Sequence, residues 1–131
     1  MINGLSHLAF SVSDMEASLH FYVDQLGLQH AFELHDEQDR PWIHYLKIVD
    51  GQFIELFYGG QDQPSYTSFQ HLCLETDDLS ATVEQLRESG VPIDIEPAQG
   101  CDKNWQAWIH DPDGNRIELM QFHPDCPQLN C

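Results

Sequence analysis

One stretch of this sequence occurs twice, and this repeat constrains the fold more than any other feature. The segment VDGQFIEL at residues 49–56 recurs as PDGNRIEL at residues 112–119, which is 63 residues later. Four further pairs of identical residues lie 63 or 64 positions apart: Gly27 and Gly90, Trp42 and Trp105, His7 and His71, and Asp14 and Asp78. Self-similarity at a fixed spacing indicates repeated structural units. The chain is therefore predicted to contain two copies of one module.

The two predicted modules cover residues 1–62 and 63–123, and a short tail follows at residues 124–131. The spacing between matched residues is 64 near the start of each copy and 63 later on. The single slipped residue lies between Ala17 and Gly27, inside the first predicted helix.

Each module shows the same order of local signals. Residues 5–12 alternate in side-chain character, which indicates a strand. Asp14 is a good helix N-cap, and Gly27 provides the stop at the other end of that helix. The Asp50-Gly51 pair joins two alternating runs and so predicts a β-hairpin. The second copy repeats these signals with HLCLET at residues 71–76, Asp78, Gly90 and Asp113-Gly114. The sequence thus predicts an α+β fold made of two tandem βαβββ modules.

The composition favours a globular protein of one domain, residues 1–131, with an acidic surface. Hydrophobic residues make up 41% of the chain, which is sufficient for a packed core. Five Lys and Arg residues against 22 Asp and Glu residues give a formal net charge of −17. Such a surface repels phosphate backbones and anionic lipids, so neither a nucleic acid nor a membrane is an expected partner. A small-molecule substrate is compatible with this charge.

The N-terminus and the cysteines favour a cytoplasmic location. The first residues contain no basic segment followed by an apolar one, so no signal peptide is predicted. No apolar run approaches the ~18 residues that span a membrane. The four cysteines include no CxxC pair and are expected to be reduced thiols: Cys73, Cys101, Cys126 and Cys131.

Two histidines and two glutamates occupy matching positions in the two copies. His7 and His71 lie in the first strands, and Glu55 and Glu118 lie in the last strands. Strand alternation turns each glutamate away from its Ile and Leu neighbours. A carboxylate on an apolar face is costly unless it is paired, protonated or bound to a cation. Because imidazole and carboxylate together suit a divalent first-row metal, these four residues are predicted metal ligands.

With these residues in place, the sequence resembles the vicinal oxygen chelate superfamily. The resemblance is carried by HLAFSVSDMEASLHFYVDQLGLQ, GQFIELF, FQHLCLETDDLSATVEQLRESGV and DPDGNRIEL. It implies that each βαβββ module curls into half of a cup around a divalent metal. It also implies that the first-strand His and the last-strand carboxylate of each copy hold that metal. Those positions are His7, Glu55, His71 and Glu118 in this sequence.

The ligand set divides that superfamily by reaction. Extradiol dioxygenases resemble a set of two His and one carboxylate, whereas position 55 here supplies a second carboxylate. The set His, Glu, His, Glu resembles that of glyoxalase I and its lactoylglutathione-lyase-like relatives. This resemblance implies a lyase or isomerase that forms an enediolate from a small substrate with vicinal oxygens. It implies Glu118 as the catalytic base, with Glu55 able to share that role, and one Ni, Co, Mn, Fe or Zn ion per site.

Two other functions stay open at this stage. An iron-dependent, ring-cleaving dioxygenase would leave Glu55 as an extra carboxylate where oxygen or substrate has to bind. A non-catalytic small-molecule binding protein of the same fold would carry no tightly bound metal. The resemblance to glyoxalase I also implies a homodimer with two cups, built from modules of one chain or of different chains.

Six residues are predicted to share the face of Glu55 or Glu118 and to form the substrate pocket: Trp42, His44, Phe57, Trp105, Arg116 and Met120. For the two tryptophans, ordinary core or dimer packing is the alternative. Bacterial glyoxalase I holds glutathione with an Arg in the first strand, where Ser11 stands here, and with an Asn where this chain has Gly59-Gly60. A glutathione adduct is therefore a less favoured substrate than another thiol adduct or small α-hydroxycarbonyl.

Overall fold

A computed structural model of the chain describes residues 5–60, 69 and 71–130. The chain divides into two compact units, Met1–Thr67 and Ser68–Cys131. The predicted junction between residues 62 and 63 lies outside the described residues.

The first unit contains one sheet and one helical segment. Its elements are β1 (His7–Val12), α1 (Met15–Leu19), a π-helical segment (His20–Gln25), β2 (Gln29–His35), β3 (Pro41–Val49) and β4 (Gln52–Tyr58). The strand order in the sheet is β1-β4-β3-β2. Strand β1 runs parallel to β4, and the other neighbours are antiparallel.

The second unit repeats this arrangement. Its elements are β5 (Leu72–Glu75), α2 (Leu79–Glu88), β6 (Ile95–Gln99), β7 (Trp105–His110), β8 (Arg116–Gln121) and a short α3 (Pro127–Asn130). The strand order is β5-β8-β7-β6, again with a parallel first pair. The predicted α+β fold of two βαβββ modules is therefore confirmed. None of the helices in the described parts of the chain is both long enough and apolar enough to cross a bilayer.

Matching residues begin and end the two main helices, as predicted. The side chains of Asp14 and Asp78 accept hydrogen bonds from the N–H groups of Ala17 and Ala81, at 3.0 and 2.9 Å. These bonds satisfy donors that have no partner within the first helical turn. After each helix a glycine, at position 27 or 90, adopts a positive φ of 82° or 87°, which favours residues without a Cβ.

The slipped residue in the repeat corresponds to a π-helical turn. The Leu26 N–H donates to the Phe21 carbonyl oxygen at 2.8 Å, which is an i to i−5 bond within the segment His20–Gln25. Such turns accommodate one extra residue in a helix. The helix α2 of the second unit has no π segment.

One face of each sheet carries the apolar core. In the first unit, Leu46, Ile54 and Leu56 are fully buried, and in the second unit Ile117 and Leu119 are buried at the matching positions. Helix α2 contacts β6, β7 and β8. Each fully buried side chain of this kind contributes about 1.5–3 kcal/mol to folding. The last-strand glutamates alternate with these residues and lie on the opposite face.

Both hairpins differ by one residue from a plain two-residue connection. In the first unit, β3 pairs Val49 with Gln52 but Lys47 with Phe53, so Ile48 is bulged out of the ladder. In the second unit, the connection between β7 and β8 turns at Gly114, whose φ is 80° and whose N–H donates to the Asp111 carbonyl oxygen at 2.9 Å. A one-residue change in register moves every side chain of a strand to the other face.

Candidate functional site

The first unit brings His7 and Glu55 together on adjacent strands. The parallel register pairs Ala9 with Glu55, so His7 lies two residues away on the same face. The Nδ1 atom of His7 is 3.4 Å from Oε1 of Glu55. The glutamate is buried, with 5% of its surface exposed, whereas about half of the histidine side chain is exposed.

The second unit repeats this pair with His71 and Glu118. His71 directly precedes β5, and its Nε2 atom is 3.3 Å from Oε2 of Glu118. Glu118 is 6% exposed, close to the value for Glu55. A contact between a histidine and a buried glutamate is therefore present in each unit.

These pairs suit a divalent metal in their chemistry. A buried carboxylate with one imidazole neighbour still has unused lone pairs, which a cation can satisfy. Nitrogen and oxygen ligands of this kind are common for first-row divalent metals. Each unit by itself supplies only two such ligands, and the described residues include no group of three or more His, Cys, Asp or Glu side chains arranged to hold a metal.

Tyr45 lies directly opposite Glu55 on β3. A hydrogen bond from its hydroxyl to the Glu55 carboxylate, together with burial, raises the pKa of Tyr45. The ring of Phe32 stacks on that of Tyr45, with centroids 4.3 Å apart. Glu55 is therefore held by a hydrogen-bond donor whose own position is fixed by ring stacking.

Trp108 occupies the same place opposite Glu118 in the second unit. The His71 ring meets the Trp108 ring edge-on at 5.0 Å, and the Arg116 guanidinium lies over it at 4.3 Å. An indole has no hydroxyl to offer, so the two glutamates have different neighbours at matching positions. Trp108 instead orients the histidine and the arginine around Glu118.

Cys73 also lies on the Glu118 face, because the register pairs these two residues. Desolvation, the Glu118 charge and a hydrogen bond to Glu118 raise the pKa of Cys73 to about 12. The thiol is therefore protonated at neutral pH and acts as a weak donor to the carboxylate.

Three of the predicted pocket residues lie on the other face, and this part of the prediction was wrong. The bulge at Ile48 turns Trp42 and His44 to the face opposite Glu55, with His44 opposite Leu56. The longer connection in the second unit places Trp105 opposite Gln121, away from Glu118. At the end of its strand, the exposed Trp42 ring nevertheless meets the Phe57 ring edge-on at 5.8 Å.

The other predicted pocket residues keep the predicted face. Phe57 lies two residues after Glu55, and Met120 and Arg116 flank Glu118. Met120 is buried, with 8% of its surface exposed.

Two residues of the site, Tyr45 and Trp108, were missed by the sequence reasoning. They are 63 residues apart, which is the spacing of the repeat, and both are aromatic. That spacing was the signal that could have found them. Cys73 could also have been found, because it lies two residues after His71 in an alternating strand.

Known proteins share both the sequence pattern and the fold. A model of the glyoxalase/bleomycin resistance protein/dioxygenase superfamily matches residues 4–119. The lactoylglutathione lyase of Haemophilus influenzae is 31% identical over 122 residues, which cover 88% of this chain and 90% of that protein. A probable lactoylglutathione lyase of Synechocystis is 32% identical, with 89% of this chain and 94% of the relative covered.

A solved structure agrees with this relationship. TnmS3, an antibiotic-binding protein from Streptomyces sp. CB03234, matches with a TM-score of 0.76 at 28% identity, and the match covers 93% of this chain and 98% of TnmS3. The family suggested by the repeated His/Glu pattern is therefore confirmed, and the chain belongs to the glyoxalase/bleomycin resistance protein/dioxygenase superfamily.

Proposed function

We propose that this protein is a divalent-metal-dependent lyase or isomerase of the glyoxalase I type. The observation that supports this most directly is the duplicated pair of a buried glutamate and a histidine 3.3–3.4 Å away. The four residues of these pairs would hold one metal ion: His7, Glu55, His71 and Glu118. When bound, the metal supplies positive charge that acidifies a carbon-bound hydrogen between two vicinal oxygens and stabilises the resulting enediolate.

In this proposal Glu118 is the base that takes the proton from carbon and returns it to the neighbouring carbon. Glu55 receives a hydrogen bond from the Tyr45 hydroxyl, which restrains its position. Each glutamate has its histidine neighbour, but beside it Glu118 has the thiol of Cys73 where Glu55 has a phenol, and a thiol is the weaker donor. The weaker restraint makes Glu118 the better proton acceptor, and Glu55 retains a secondary role.

The substrate in this proposal is a small α-hydroxycarbonyl or thiol adduct that presents two adjacent oxygens. The apolar side chains of Phe57 and Met120 would contact its body. The Arg116 guanidinium, which is held over Trp108, would pair with a substrate anion. Ser11 offers no positive charge in the first strand, so recognition of the glutathione carboxylates is not part of the proposal.

A non-catalytic binding protein is the second candidate. The similarity to the antibiotic-binding protein TnmS3 favours it. The two buried glutamates favour the metal-dependent enzyme instead, because a binding cleft without a cation has no need for two buried carboxylates.

Metal content and turnover, measured on the same preparations, test this proposal. The protein is loaded separately with Ni, Co, Mn, Fe and Zn and assayed with hemithioacetals of an α-ketoaldehyde with glutathione and with other thiols. We expect one metal ion per chain and turnover with at least one adduct. His71→Ala should lose most of its metal, whereas His110→Ala, which removes an exposed histidine paired with Asp94, should keep it. Full metal occupancy in His71→Ala would contradict the ligand assignment.

A further inference from the structure

The first unit contains a pocket of about 740 Å³ on the sheet face opposite Glu55. It lies between the helical segment and strands β2, β3 and β4, whose side chains line it. Sites for small molecules have volumes of roughly 300–1,000 Å³. None of the side chains that line this pocket takes part in the proposed metal chemistry. The pocket and Glu55 share only the sheet, on whose opposite faces they lie.

Backbone irregularities point polar side chains into this pocket. The π-helical segment carries His20 and Asp24, both of which line it. In β2, the register shifts at Ala31, so that His30 and Glu33 lie on the same face although they are three residues apart. Bulges and π turns that re-aim side chains occur often at functional sites.

One of the polar residues that line the pocket, His44, is buried. The Nδ1 atom of His44 is 2.8 Å from Nε2 of His30, and its Nε2 atom is 3.4 Å from Oε2 of Glu33. Because its two neighbours contact opposite ring nitrogens, the three side chains cannot converge on one metal ion. Burial lowers the pKa of His44, so at neutral pH this ring hydrogen-bonds without adding positive charge.

The pocket combines negative charge with an apolar wall. Three carboxylates line it, from Glu16, Asp24 and Glu33, and none of the residues that the structure shows lining it is Lys or Arg. The apolar part of the lining comes from Met15, Leu19 and Val23. A ligand that complements this surface carries a positive charge on an apolar body.

The second unit shows what kind of group pairs with the carboxylate that corresponds to Glu33. At the 63-residue spacing, Glu33 corresponds to Glu96, and Asp24 lies in the stretch where the spacing changes, opposite Arg87 or Glu88. The Arg87 guanidinium donates to both carboxylate oxygens of Glu96, at 3.0 and 2.9 Å. In the second unit the helix itself thus provides the cation, whereas residues 15–25 of the first unit include no Lys or Arg and carry Asp24 near the end of the helical segment.

We propose that the pocket of the first unit binds a small organic cation, with an amine or guanidinium group next to Glu33 and an apolar body against the helix. Oε1 of Glu33 is held by His35 at 2.6 Å, which leaves the oxygen near His44 to accept from the ligand. The ligand would thereby occupy the place that Arg87 takes in the second unit.

Calorimetry on the full-length protein, with and without metal, tests this site with two probes of the same shape. Benzamidine carries a cationic amidinium on an aromatic ring, and benzamide is its neutral counterpart. We expect benzamidine to bind roughly tenfold or more tightly than benzamide, since hydrogen bonds between charged groups are the stronger ones. Removal of the metal should leave this affinity unchanged.

Three variants locate the bound cation. Glu33→Gln should weaken benzamidine binding about tenfold, and Glu96→Gln, the matched change in the second unit, should leave it unchanged. Asp24→Arg should abolish binding, because it recreates the internal guanidinium of the second unit. The Asp24 side chain is 65% exposed, so this variant decides the matter even if Glu33→Gln fails to fold. Equal affinities for the two probes, or unchanged binding in Asp24→Arg, would overturn the proposal.

Discussion

The Tyr45 hydroxyl donates a hydrogen bond to the Glu55 carboxylate from the directly opposite position on the neighbouring strand. The corresponding residue opposite Glu118 is Trp108, which has no hydroxyl. The two halves of the molecule therefore repeat the glutamate but not its hydrogen-bond donor. The Glu55 carboxylate is therefore restrained by a phenol that Glu118 lacks, although the two glutamates occupy matching positions.

Tyr45→Phe should free the Glu55 carboxylate to take part in proton transfer. The substitution removes the hydroxyl that holds the carboxylate in place but keeps the ring that stacks on Phe32. In a Glu118→Gln background, where turnover depends on Glu55, we expect Tyr45→Phe to raise the residual rate of proton exchange several-fold. Exchange of the substrate's carbon-bound hydrogen with deuterated solvent measures this rate by NMR.

Tyr58→Phe in the same background provides the control, because it removes a tyrosine hydroxyl that lies near His44, on the sheet face opposite Glu55. A residual rate that does not respond to Tyr45→Phe would show that this hydrogen bond has no influence on proton transfer.

Glu118→Gln should reduce turnover more than it reduces metal binding. A glutamine still offers an oxygen to the metal but has no basic lone pair suited to accept a proton from carbon. Loss of a general base typically lowers the rate by about 10²–10⁴-fold. Glu55→Gln should have the smaller effect on rate at similar metal content. Elemental analysis and exchange rates from the same preparations measure both quantities, and a Glu118→Gln protein with full exchange activity would mean that the base lies elsewhere.

The fold was predictable because its determinants are local and occur twice. The caps at Asp14 and Asp78 and the glycines that end the helices act within a few residues, so they can be recognised in a linear sequence. The His7–Glu55 contact follows from the parallel register of β1 and β4, which strand alternation by itself does not specify.

The substrate face was predictable only in part. Ile48 fits the alternating pattern of its strand, and nothing in its side chain indicates that the backbone bulges there. A single bulge turns the side chains of all preceding residues of β3 to the other face of the sheet. His44 therefore lines the pocket of the first unit. The hydrogen bond between Tyr45 and Glu55 depends on the same register.

The protein should form a homodimer. Several large apolar side chains of the first unit are exposed, among them Trp42 at 47% and Phe32 at 45%. Large apolar side chains that stay exposed in one chain are available for association with a second chain. Light scattering at micromolar concentration should give twice the mass of the 15.1 kDa chain. A monomer under those conditions would contradict this expectation.

Mixing two variants that each lack one histidine ligand then shows whether the ligands of a metal site come from one chain or from two. If a site takes one His/Glu pair from each chain, His7→Ala and His71→Ala should together restore about a quarter of the wild-type metal, as random pairing requires. If both pairs come from one chain, the mixture should restore none.

His35 and His44 should titrate on opposite sides of the ordinary histidine pKa. Hydrogen bonds to Asp39 and then Glu33 raise the pKa of His35, whereas burial lowers the pKa of His44. The contribution of His35 to stability is therefore present below pH 6.5 and lost as the pH rises through its raised pKa, and that of His44 is lost as the pH falls below 6.5. The two contributions act in different pH ranges, one above and one below pH 6.5, and NMR titration of the individual imidazoles assigns each of them to its residue. Asp39→Asn should lower the pKa of His35 and leave that of His44 unchanged. If His35 in the unmodified protein titrates at or below the value for a free histidine, its contacts with the two carboxylates do not persist in solution.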